Sequence, residues 1–401
     1  MERFALSRMK EWKENENRKP LIIRGARQVG KTWIMKTFGQ QYFEKTAYVN
    51  FDNNARMKQV FEGDLDIERL VLAISAETGV SIEAENTLII FDEVQEVPKA
   101  LTSLKYFHEN APQYAIVAAG SLLGVALHQG TSFPVGKVDF LDLYPLNFRE
   151  FLCAMGEKQF VSMLDSCDTQ MVTVFKTKYI ERLREYYFVG GMPEVVKDFS
   201  EKKDYNRVRA IQKNLINYYQ QDFSKHAEIK LVPRLNLVWN SIPMQLAKEN
   251  KKYIYGQVRE GSRAKDFELA IQWLLDCGLI HKVQRIQKPD LPLKAYIDFD
   301  AFKLFLVDIG LLIAMTDLDA KVIIEGNKIF TEFKGALTEQ YILQQLISDV
   351  GVIPYYYSTQ NSKGEIDFLV QGKTSVIPIE VKAEENLKAK SLKAFCEKVR
   401  I

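Results

Sequence analysis

The sequence predicts an α/β protein that begins with a parallel β-sheet flanked by helices. Two observations support this prediction. Short apolar runs at 21–23, 47–51, 88–91 and 115–119 have the length and composition of buried strands, and stretches with helical spacing of apolar residues separate them. Because strands that alternate with helices form parallel sheets, the runs indicate a single sheet, with a further strand at 138–141.

The remaining elements follow in order along the chain. An amphipathic helix is predicted within 3–17, and helical spacing returns at 54–78 and 98–110. After about residue 147 the pattern becomes mainly helical, with a long run at 171–189 that the segment Gly-Gly-Met-Pro interrupts. Near the C-terminus, a helix at 335–347 precedes two strand patterns.

Composition places the chain among ordinary globular proteins. It has 401 residues, of which 47% are hydrophobic and 26% are charged, and the length predicts more than one domain. The net charge of +2 creates no whole-chain field that favours nucleic acid or membrane. The N-terminus lacks the apolar region of a secretory signal, and the most apolar stretch, 302–315, is too short to span a bilayer. We therefore expect a cytoplasmic protein without a membrane partner.

A glycine-rich loop follows the first predicted strand. It fits the pattern G-x-x-x-x-G-K-[ST] and lies between a strand and a helix, the context that this phosphate-binding motif requires. Glycines let backbone N–H groups surround phosphates, and the helix N-terminus adds partial positive charge. We expect Lys31 to reach the β- and γ-phosphates of ATP, and Thr32 to offer its hydroxyl to Mg²⁺. The predicted nucleotide-binding residues are Gly25, Ala26, Arg27, Gln28, Val29, Gly30, Lys31 and Thr32.

An acidic pair further along the chain makes it less credible that the loop fits the phosphate-binding motif by chance. The apolar run Leu88–Phe91 ends in Asp92 and Glu93, and side chains at the carboxyl end of a buried parallel strand emerge at the ligand edge of the sheet. We expect Asp92 to hold the metal and Glu93 to polarise the attacking water, so that Lys31 and Glu93 are the catalytic residues. Such a pair can also be a simple helix cap.

A third candidate is Ser121, which follows the next predicted strand. A small polar residue in this position could sense the γ-phosphate of a nucleotide. An ordinary strand-to-loop turn explains Ser121 equally well.

Four motifs give the chain a family resemblance. GARQVGKT, FDEVQEVP, LYPLNFREF and FVGGMPEVV occur in this order. The chain resembles bacterial and archaeal AAA+ ATPases that carry a C-terminal domain of unknown function related to restriction-endonuclease-like folds. The resemblance covers nearly the whole chain. It implies a P-loop NTPase fold of the AAA+ type, with ATP and Mg²⁺ as cofactors and ATPase activity.

The chain departs from this family in a basic position. Gly136-Lys137 stands where relatives usually have Gly-Arg, and a Lys cannot clamp a phosphate bidentately as an Arg does. Arg149 is another basic candidate. Many AAA+ proteins act as rings in which an Arg reaches the neighbouring site, but neither residue can be assigned that role from the sequence, so the oligomeric state stays open.

The resemblance also implies a winged helix-turn-helix at 226–298. A helix pattern at 267–275 and a strand pattern at 279–283 are compatible with this fold. A basic face on such a motif would suit the phosphates of double-stranded DNA, whereas a solvated surface or a protein-binding face are the alternatives. The basic residues upstream of the helix are Lys248, Lys251, Lys252, Arg259, Arg263 and Lys265.

Two strand patterns near the C-terminus, 365–370 and 375–381, predict a hairpin that carries carboxylates. In a tight turn, Asp367 would lie diagonal to Glu380 on the same face, and Glu365 would lie nearly opposite Glu380. The spacing resembles the PD-(D/E)XK pattern, with Asp367 as its D and Glu380-x-Lys382 as its ExK. Glu339 matches the helix acid of many members. Carboxylates holding Mg²⁺, with Lys382 orienting water, would form a nuclease site. Alternating charges on an exposed sheet face are the plainer explanation.

These observations predict four parts of the chain and a leading function. The function is that of an ATP-binding and ATP-hydrolysing AAA+ switch whose C-terminal parts engage a partner, with DNA expected. One alternative is an ATP-regulated, Mg²⁺-dependent nuclease, and the other is a nucleotide-dependent protein-interaction module. Whether the last domain is complete at Ile401 stays open. The predicted parts are an ATPase domain at 1–160, a helical lid or connector at 161–225, the winged helix at 226–298 and the PD-(D/E)XK-like domain at 299–401.

Overall fold

A computed structural model of the chain describes residues 2–120, 134–248, 251–325, 331–359, 365–383 and 390–399. The chain divides into two compact units, one formed by Glu2–Tyr144 and the other beginning at Pro145. The predicted phosphate loop and acidic pair lie in the first unit. The predicted winged helix and the carboxylate hairpin lie in the second.

The N-terminal unit alternates helices with strands, as the sequence predicts. The described helices are α1 (Ala5–Glu14), α2 (Lys31–Tyr42), α3 (Ala55–Glu62), α4 (Ile67–Thr78) and α5 (Pro98–Asn110). The strands are β1 (Leu21–Arg24), β2 (Lys45–Asn50), β3 (Thr87–Asp92), β4 (Ala115–Ala119) and β5 (Asp139–Asp142).

These strands form one five-stranded sheet in the order β2-β3-β4-β1-β5. All neighbouring pairs are parallel. The predicted parallel α/β architecture is therefore confirmed. Because the strands run in one direction, the carboxyl ends of β1 and β3 lie at the same edge of the sheet, which brings the phosphate loop and the acidic pair to that edge.

The hydrophobic core orients the end of β3. Phe91 is fully buried and makes edge contacts with Phe51 and Phe61, at centroid distances of 5.4 and 5.6 Å. Successive side chains of a strand point to opposite faces, so Asp92 lies on the face opposite to this aromatic cluster.

The helical pattern at 54–78 belongs to two helices rather than one. Asn54 caps α3 by accepting a hydrogen bond from the backbone N–H of Met57, and α3 ends at Glu62, just before Gly63. Asp66 then caps α4 by accepting from the backbone N–H of Arg69. Two capping side chains with a glycine between them explain the break, since each cap favours a new helix start.

The second unit begins with helices and ends with a mixed sheet. Its described helices are α6 (Phe148–Ala154), α7 (Lys158–Asp165), α8 (Thr169–Val174), α9 (Lys176–Val189), α10 (Pro193–Lys202), α11 (Tyr205–His226), α12 (Val232–Leu246), α13 (Tyr255–Val258), α14 (Ala264–Asp276), α15 (Ile309–Met315), α16 (Ala320–Ile324), α17 (Thr331–Gln345), which continues into a π-helical turn (Leu346–Val350), and α18 (Lys390–Val399).

The strands of this unit form a second five-stranded sheet, in the order β10-β9-β8-β6-β7. β6 pairs with β7 antiparallel and with β8 parallel, whereas β9 pairs antiparallel with both β8 and β10. The strands are β6 (Ile280–Ile286), β7 (Ile297–Leu306), β8 (Tyr355–Ser358), β9 (Glu365–Gln371) and β10 (Val376–Ile379).

Helix α14 and strand β6 occupy the positions expected for the last helix and first wing strand of a winged helix. The hairpin of β6 and β7, however, belongs to the same sheet as the carboxylate hairpin of β9 and β10. The winged-helix assignment and the division into four predicted domains stay predictions.

The apolar stretch at 302–315 is divided between the end of β7 and helix α15. None of the helices within the described residues is long and apolar enough to cross a membrane.

Candidate functional site

The phosphate loop has a backbone that requires glycine at its first position. Gly25 has a φ of 145°, and a Cβ atom placed on it would lie 2.1 Å from the backbone oxygen of Leu143. Gly30, with a φ of 95°, precedes the first residue of α2. Gln28 also has a positive φ, of 64°. Substitution of Gly25 therefore forces a backbone clash as well as an unfavourable dihedral angle.

The ammonium group of Lys31 lies in this loop and is buried. It donates hydrogen bonds to the backbone oxygens of Gly25 and Ala26, across 2.9 and 2.7 Å. Burial lowers the pKa of Lys31 to about 8, and the carboxylates of Glu93 and Asp92 oppose this change. Both acceptors are neutral carbonyls, so a phosphate group would supply the negative charge that a buried ammonium group favours.

Asp92 receives hydrogen bonds from three sides. Its Oδ2 atom accepts from the hydroxyl of Thr32 across 2.7 Å and from the hydroxyl of Tyr48 across 2.9 Å. Its Oδ1 atom accepts from the backbone N–H of Glu93 across 3.1 Å. Asp92 is only 4% exposed. The predicted pair of Thr32 and Asp92 is thus brought together, and Tyr48 is a contact that the sequence analysis missed.

Glu93 occupies a turn directly after β3. Its φ of 51° lies in the left-handed region, and its Oε2 atom accepts a hydrogen bond from the side-chain amide of Gln95 across 2.7 Å. The left-handed turn points the side chain away from the direction that the strand would give it. A residue in such a conformation is uncommon in proteins and often serves a function.

The oxygen atoms of this site fit the metal that accompanies ATP. Mg²⁺ prefers carboxylate and hydroxyl oxygens together with phosphate oxygens. Asp92 supplies a carboxylate and Thr32 supplies a hydroxyl, and the two oxygens are already within 2.7 Å of each other. A hydroxyl can bind a cation through its lone pairs while it donates its hydrogen to a carboxylate.

Two further residues were singled out in the sequence, Ser121 and Lys137. Ser121, the proposed sensor, lies outside the described residues. Lys137 forms a surface ion pair with Glu109 across 3.1 Å.

In the second unit, Arg149 forms ion pairs with both Asp165 and Asp349.

Asp308 is fully buried, and it caps α15 by accepting a hydrogen bond from the backbone N–H of Leu311. Its other partners include the backbone N–H of Gly191. These hydrogen bonds to the backbone give Asp308 a structural role.

The C-terminal hairpin has a register that differs from the expected one. Ile379 pairs with Phe368, so the next residues along, Glu380 and Asp367, follow at the same level. The expectation that Glu365 lies opposite Glu380 is wrong, because the observed register differs from the expected one by two residues and places Asp367 opposite Glu380. The backbone N–H of Val381 donates to Oδ2 of Asp367 across 2.7 Å. Lys382 pairs with Glu380, which lies two residues before it and just after the end of β10.

A buried lysine that the sequence analysis missed lies among these acids. Lys303, on β7, is 1% exposed and forms ion pairs with Glu365 across 2.6 Å and with Glu339 across 3.5 Å. Lys251 also pairs with Glu339. Lys251 was grouped with residues proposed to contact DNA, but its ammonium group faces this cluster instead. The position of this lysine within an apolar strand pattern was a signal in the sequence, because a buried ammonium group needs a carboxylate or another acceptor beside it.

The pKa values within the cluster reflect this mixture of charges. Burial raises the pKa of Asp367 to about 7, and the nearby carboxylate of Glu339 contributes to the rise. Burial also acts to raise the pKa of Glu339, but the ammonium groups of Lys303 and Lys251 overcome it and hold this pKa below its ordinary value. Glu339 therefore carries the negative charge and Asp367 tends to hold a proton.

The chain itself supplies most of the positive charge that these acids need. Four carboxyl groups face three ammonium groups, so the cluster is neutral when Asp367 is protonated. Within the described residues, no group of three or more His, Cys, Asp or Glu side chains is arranged to hold a metal ion. The acids are Glu339, Glu365, Asp367 and Glu380, and the lysines are Lys251, Lys303 and Lys382.

Three regions of the chain match known protein families. Residues 17–152 match the family described as an AAA domain. Residues 180–322 and 334–400 match two domains of unknown function, DUF8612 and DUF4143. The first match, together with the parallel sheet and the phosphate loop, supports an ATPase of the AAA+ type in this part of the chain. No curated protein matches the chain.

Solved structures with a similar fold include the Walker-type ATPase PABY2304 of Pyrococcus abyssi. It is 15% identical, has a TM-score of 0.48, and the match covers 79% of this chain and 95% of that one. The Aeropyrum pernix ORC1 protein in complex with DNA is 13% identical with a TM-score of 0.30, covering 78% and 91%. The Thermotoga maritima RuvB branch migration motor is 11% identical with a TM-score of 0.30, covering 69% and 87%. At these scores the likenesses do not bear on function.

Proposed function

We propose that this chain binds ATP together with Mg²⁺ and hydrolyses it. The observation that carries the proposal is the meeting of Lys31, Thr32, Asp92 and Glu93 at one edge of a parallel sheet. The match of residues 17–152 to an AAA domain supports it independently. A buried ammonium group, a hydroxyl and a carboxylate in contact, and a second carboxylate beside them supply the groups that phosphoryl transfer to water needs.

Each residue has a distinct task in the proposed reaction. Lys31 and the backbone N–H groups of the loop bind the phosphates and compensate their charge. Thr32 and Asp92 would hold Mg²⁺, which supplies charge neutralisation at the phosphates when it is bound. Glu93 orients a water molecule and accepts its proton, since a carboxylate in hydrogen-bond reach is an effective general base.

We further propose that nucleotide turnover controls how the second unit engages a partner, with double-stranded DNA as the first candidate. The support is the charge of the region around the predicted winged helix, where Lys248, Arg259, Arg263 and Lys265 occur close together in sequence. Phosphate binding by such groups weakens steeply with salt, so salt-sensitive binding is the expected signature.

A nuclease is the second candidate function. It is favoured by one observation, the convergence of Glu339, Asp367 and Glu380 around the second sheet. The buried ammonium groups of Lys251 and Lys303 weigh against it, because they neutralise acids that a metal would otherwise use. Mg²⁺-dependent cutting of plasmid DNA by the wild type, lost in Glu380→Ala, would establish the nuclease. Neither cutting nor DNA binding would favour the third candidate, a protein-interaction module.

Steady-state ATP hydrolysis tests the proposal as a whole. The rate is measured with Mg²⁺, with and without double-stranded DNA, and the same DNA is examined on a gel. Hydrolysis by the wild type but not by Lys31→Ala is the expected result, and stimulation by DNA would identify the partner. No release of phosphate above that of Lys31→Ala would refute the ATPase. A rate of ATP hydrolysis that double-stranded DNA does not change, with the DNA left uncut, would favour a protein partner.

A further inference from the structure

Tyr48 contacts the nucleotide site although no phosphate-binding motif includes it. It lies on β2, where Tyr48 pairs with Ile90 and Asn50 pairs with Asp92 of β3. Residues two apart on a strand point to the same face, so Tyr48 shares a face with Asp92. Its hydroxyl crosses the gap between the strands and donates to Oδ2 of Asp92 across 2.9 Å.

We propose that Tyr48 is a positioning residue that orients Asp92 toward Thr32 and thereby sets the affinity of the nucleotide site for Mg²⁺. The inference rests on the proposed ATP-binding function and names a part of that site. Tyr48 itself would touch neither the nucleotide nor the metal.

The hydrogen bonds on Asp92 explain why a second donor matters. Thr32 and Tyr48 both donate to Oδ2, and the backbone N–H of Glu93 donates to Oδ1. Without Tyr48, the side chain of Asp92 is held by one side-chain donor and could rotate about its terminal bond. Hydrogen bonds to a ligating carboxylate fix its orientation, and their removal typically lowers metal affinity by about 10- to 100-fold.

The surroundings of Tyr48 keep it a donor. The carboxylate of Asp92 can only accept a hydrogen bond, so the hydroxyl of Tyr48 is the donor in their 2.9 Å contact. The ammonium group of Lys36 lies over the tyrosine ring at 3.8 Å from its centroid. This cation–π contact helps to hold the ring in place.

Tyr48→Phe removes the hydroxyl and keeps the ring. The test measures binding of a fluorescent ADP analogue to the full chain at a series of Mg²⁺ concentrations and, separately, in EDTA. The expected result is an Mg²⁺ concentration for half-maximal effect that rises about 10-fold or more, with unchanged affinity in EDTA. Tyr106→Phe, which alters a tyrosine near Lys105 on α5, is the matched control and should change neither value.

The outcomes separate this inference from the proposed function. If the wild type does not bind the nucleotide at all, the proposed function fails. If the wild type binds it and Mg²⁺ strengthens binding equally in Tyr48→Phe, the positioning role is refuted while the function stands. Equal losses with and without Mg²⁺ would also refute the role, because they would show a general defect of the fold. A lower thermal midpoint alone, with the Mg²⁺ response intact, would mean a structural residue.

Discussion

The ammonium group of Lys31 donates a hydrogen bond across 2.7 Å to the backbone carbonyl of Ala26, in a loop whose motif binds phosphate. A second bond reaches the carbonyl of Gly25 across 2.9 Å. Both carbonyls hold the ammonium group inside the loop. A nucleotide phosphate would therefore meet a lysine that is already oriented, which reduces the entropy lost on binding.

Replacement of Lys31 by methionine should weaken nucleotide binding by about 10- to 100-fold, since a hydrogen bond to a charged group contributes about 1.5–3 kcal/mol. Methionine keeps the length of the side chain and removes the charge. Isothermal titration with ADP and Mg²⁺ measures the effect. Lys58→Met, on the exposed side of α3, is the control and should bind as the wild type does. Equal affinities of Lys31→Met and Lys58→Met would contradict the assignment.

Nucleotide affinity should fall as the pH rises above about 8. Burial lowers the pKa of Lys31 to about 8 in the free protein, and bound phosphates would raise this pKa again. Binding then takes up a proton above pH 8, so a higher pH opposes it. Titrations in buffers between pH 7 and pH 9.5 test this dependence. Lys31→Met should lack the part of the pH dependence that Lys31 causes, and an identical slope in both proteins would refute the explanation.

Glu93→Gln should keep nucleotide bound while slowing hydrolysis by about 10²- to 10⁴-fold, the usual contribution of a general base. Glutamine can still accept a hydrogen bond but cannot take a proton from water. The measurement is phosphate release together with ADP affinity. Glu96→Gln alters an exposed acid three residues further on and serves as the matched control. Hydrolysis by Glu93→Gln at the wild-type rate would show that another group is the base.

Lys303→Met should destabilise the second unit by about 3–5 kcal/mol, because it leaves Glu365 and Glu339 without their buried partner. Urea unfolding measures the change. Lys288→Met breaks an exposed pair with Asp290 and should change the free energy of unfolding far less than Lys303→Met does. A second substitution, Glu365→Gln, should recover part of the loss in Lys303→Met. Similar small effects of both lysine substitutions would argue against a buried cluster.

The free energy of unfolding of Asp367→Asn, relative to that of the wild type, should be higher at pH 7.5 than at pH 4.5. The pKa of Asp367 in the folded protein, about 7, exceeds its ordinary value of 3.8, so folding holds a proton that the unfolded chain releases between these values. The free energy of unfolding therefore falls as the pH rises through this window, by about 1–3 kcal/mol. Asparagine cannot titrate and removes this loss. A stability difference between variant and wild type that is the same at both pH values would contradict a raised pKa.

The N-terminal unit could be predicted from sequence because its signals are local. A buried parallel strand such as 88–91 is a continuous apolar run, and the phosphate loop specifies its residue types at fixed spacing. Tyr48 could not be found in this way. Its contact with Asp92 depends on which strands are neighbours, and only the order of the sheet makes β2 adjacent to β3.

The carboxylate hairpin could be predicted only in part, because its contacts depend on residues far apart in sequence. The turn and both strands were predicted, but a two-residue difference in register places Asp367 instead of Glu365 opposite Glu380. Lys303 lies 62 residues before Glu365 in sequence, and no local pattern links them. Charge compensation across that distance depends on the position of β7 in the sheet.

The second sheet also limits where this chain can be cut into separate fragments. β6 and β7 fall within the match at 180–322, whereas β8, β9 and β10 fall within the match at 334–400, and β6 hydrogen-bonds to β8. Cutting the chain between the two matched regions would leave each fragment with an open strand edge, which favours aggregation. The two matched regions therefore contribute strands to one sheet, and a fragment meant to be soluble should keep them together.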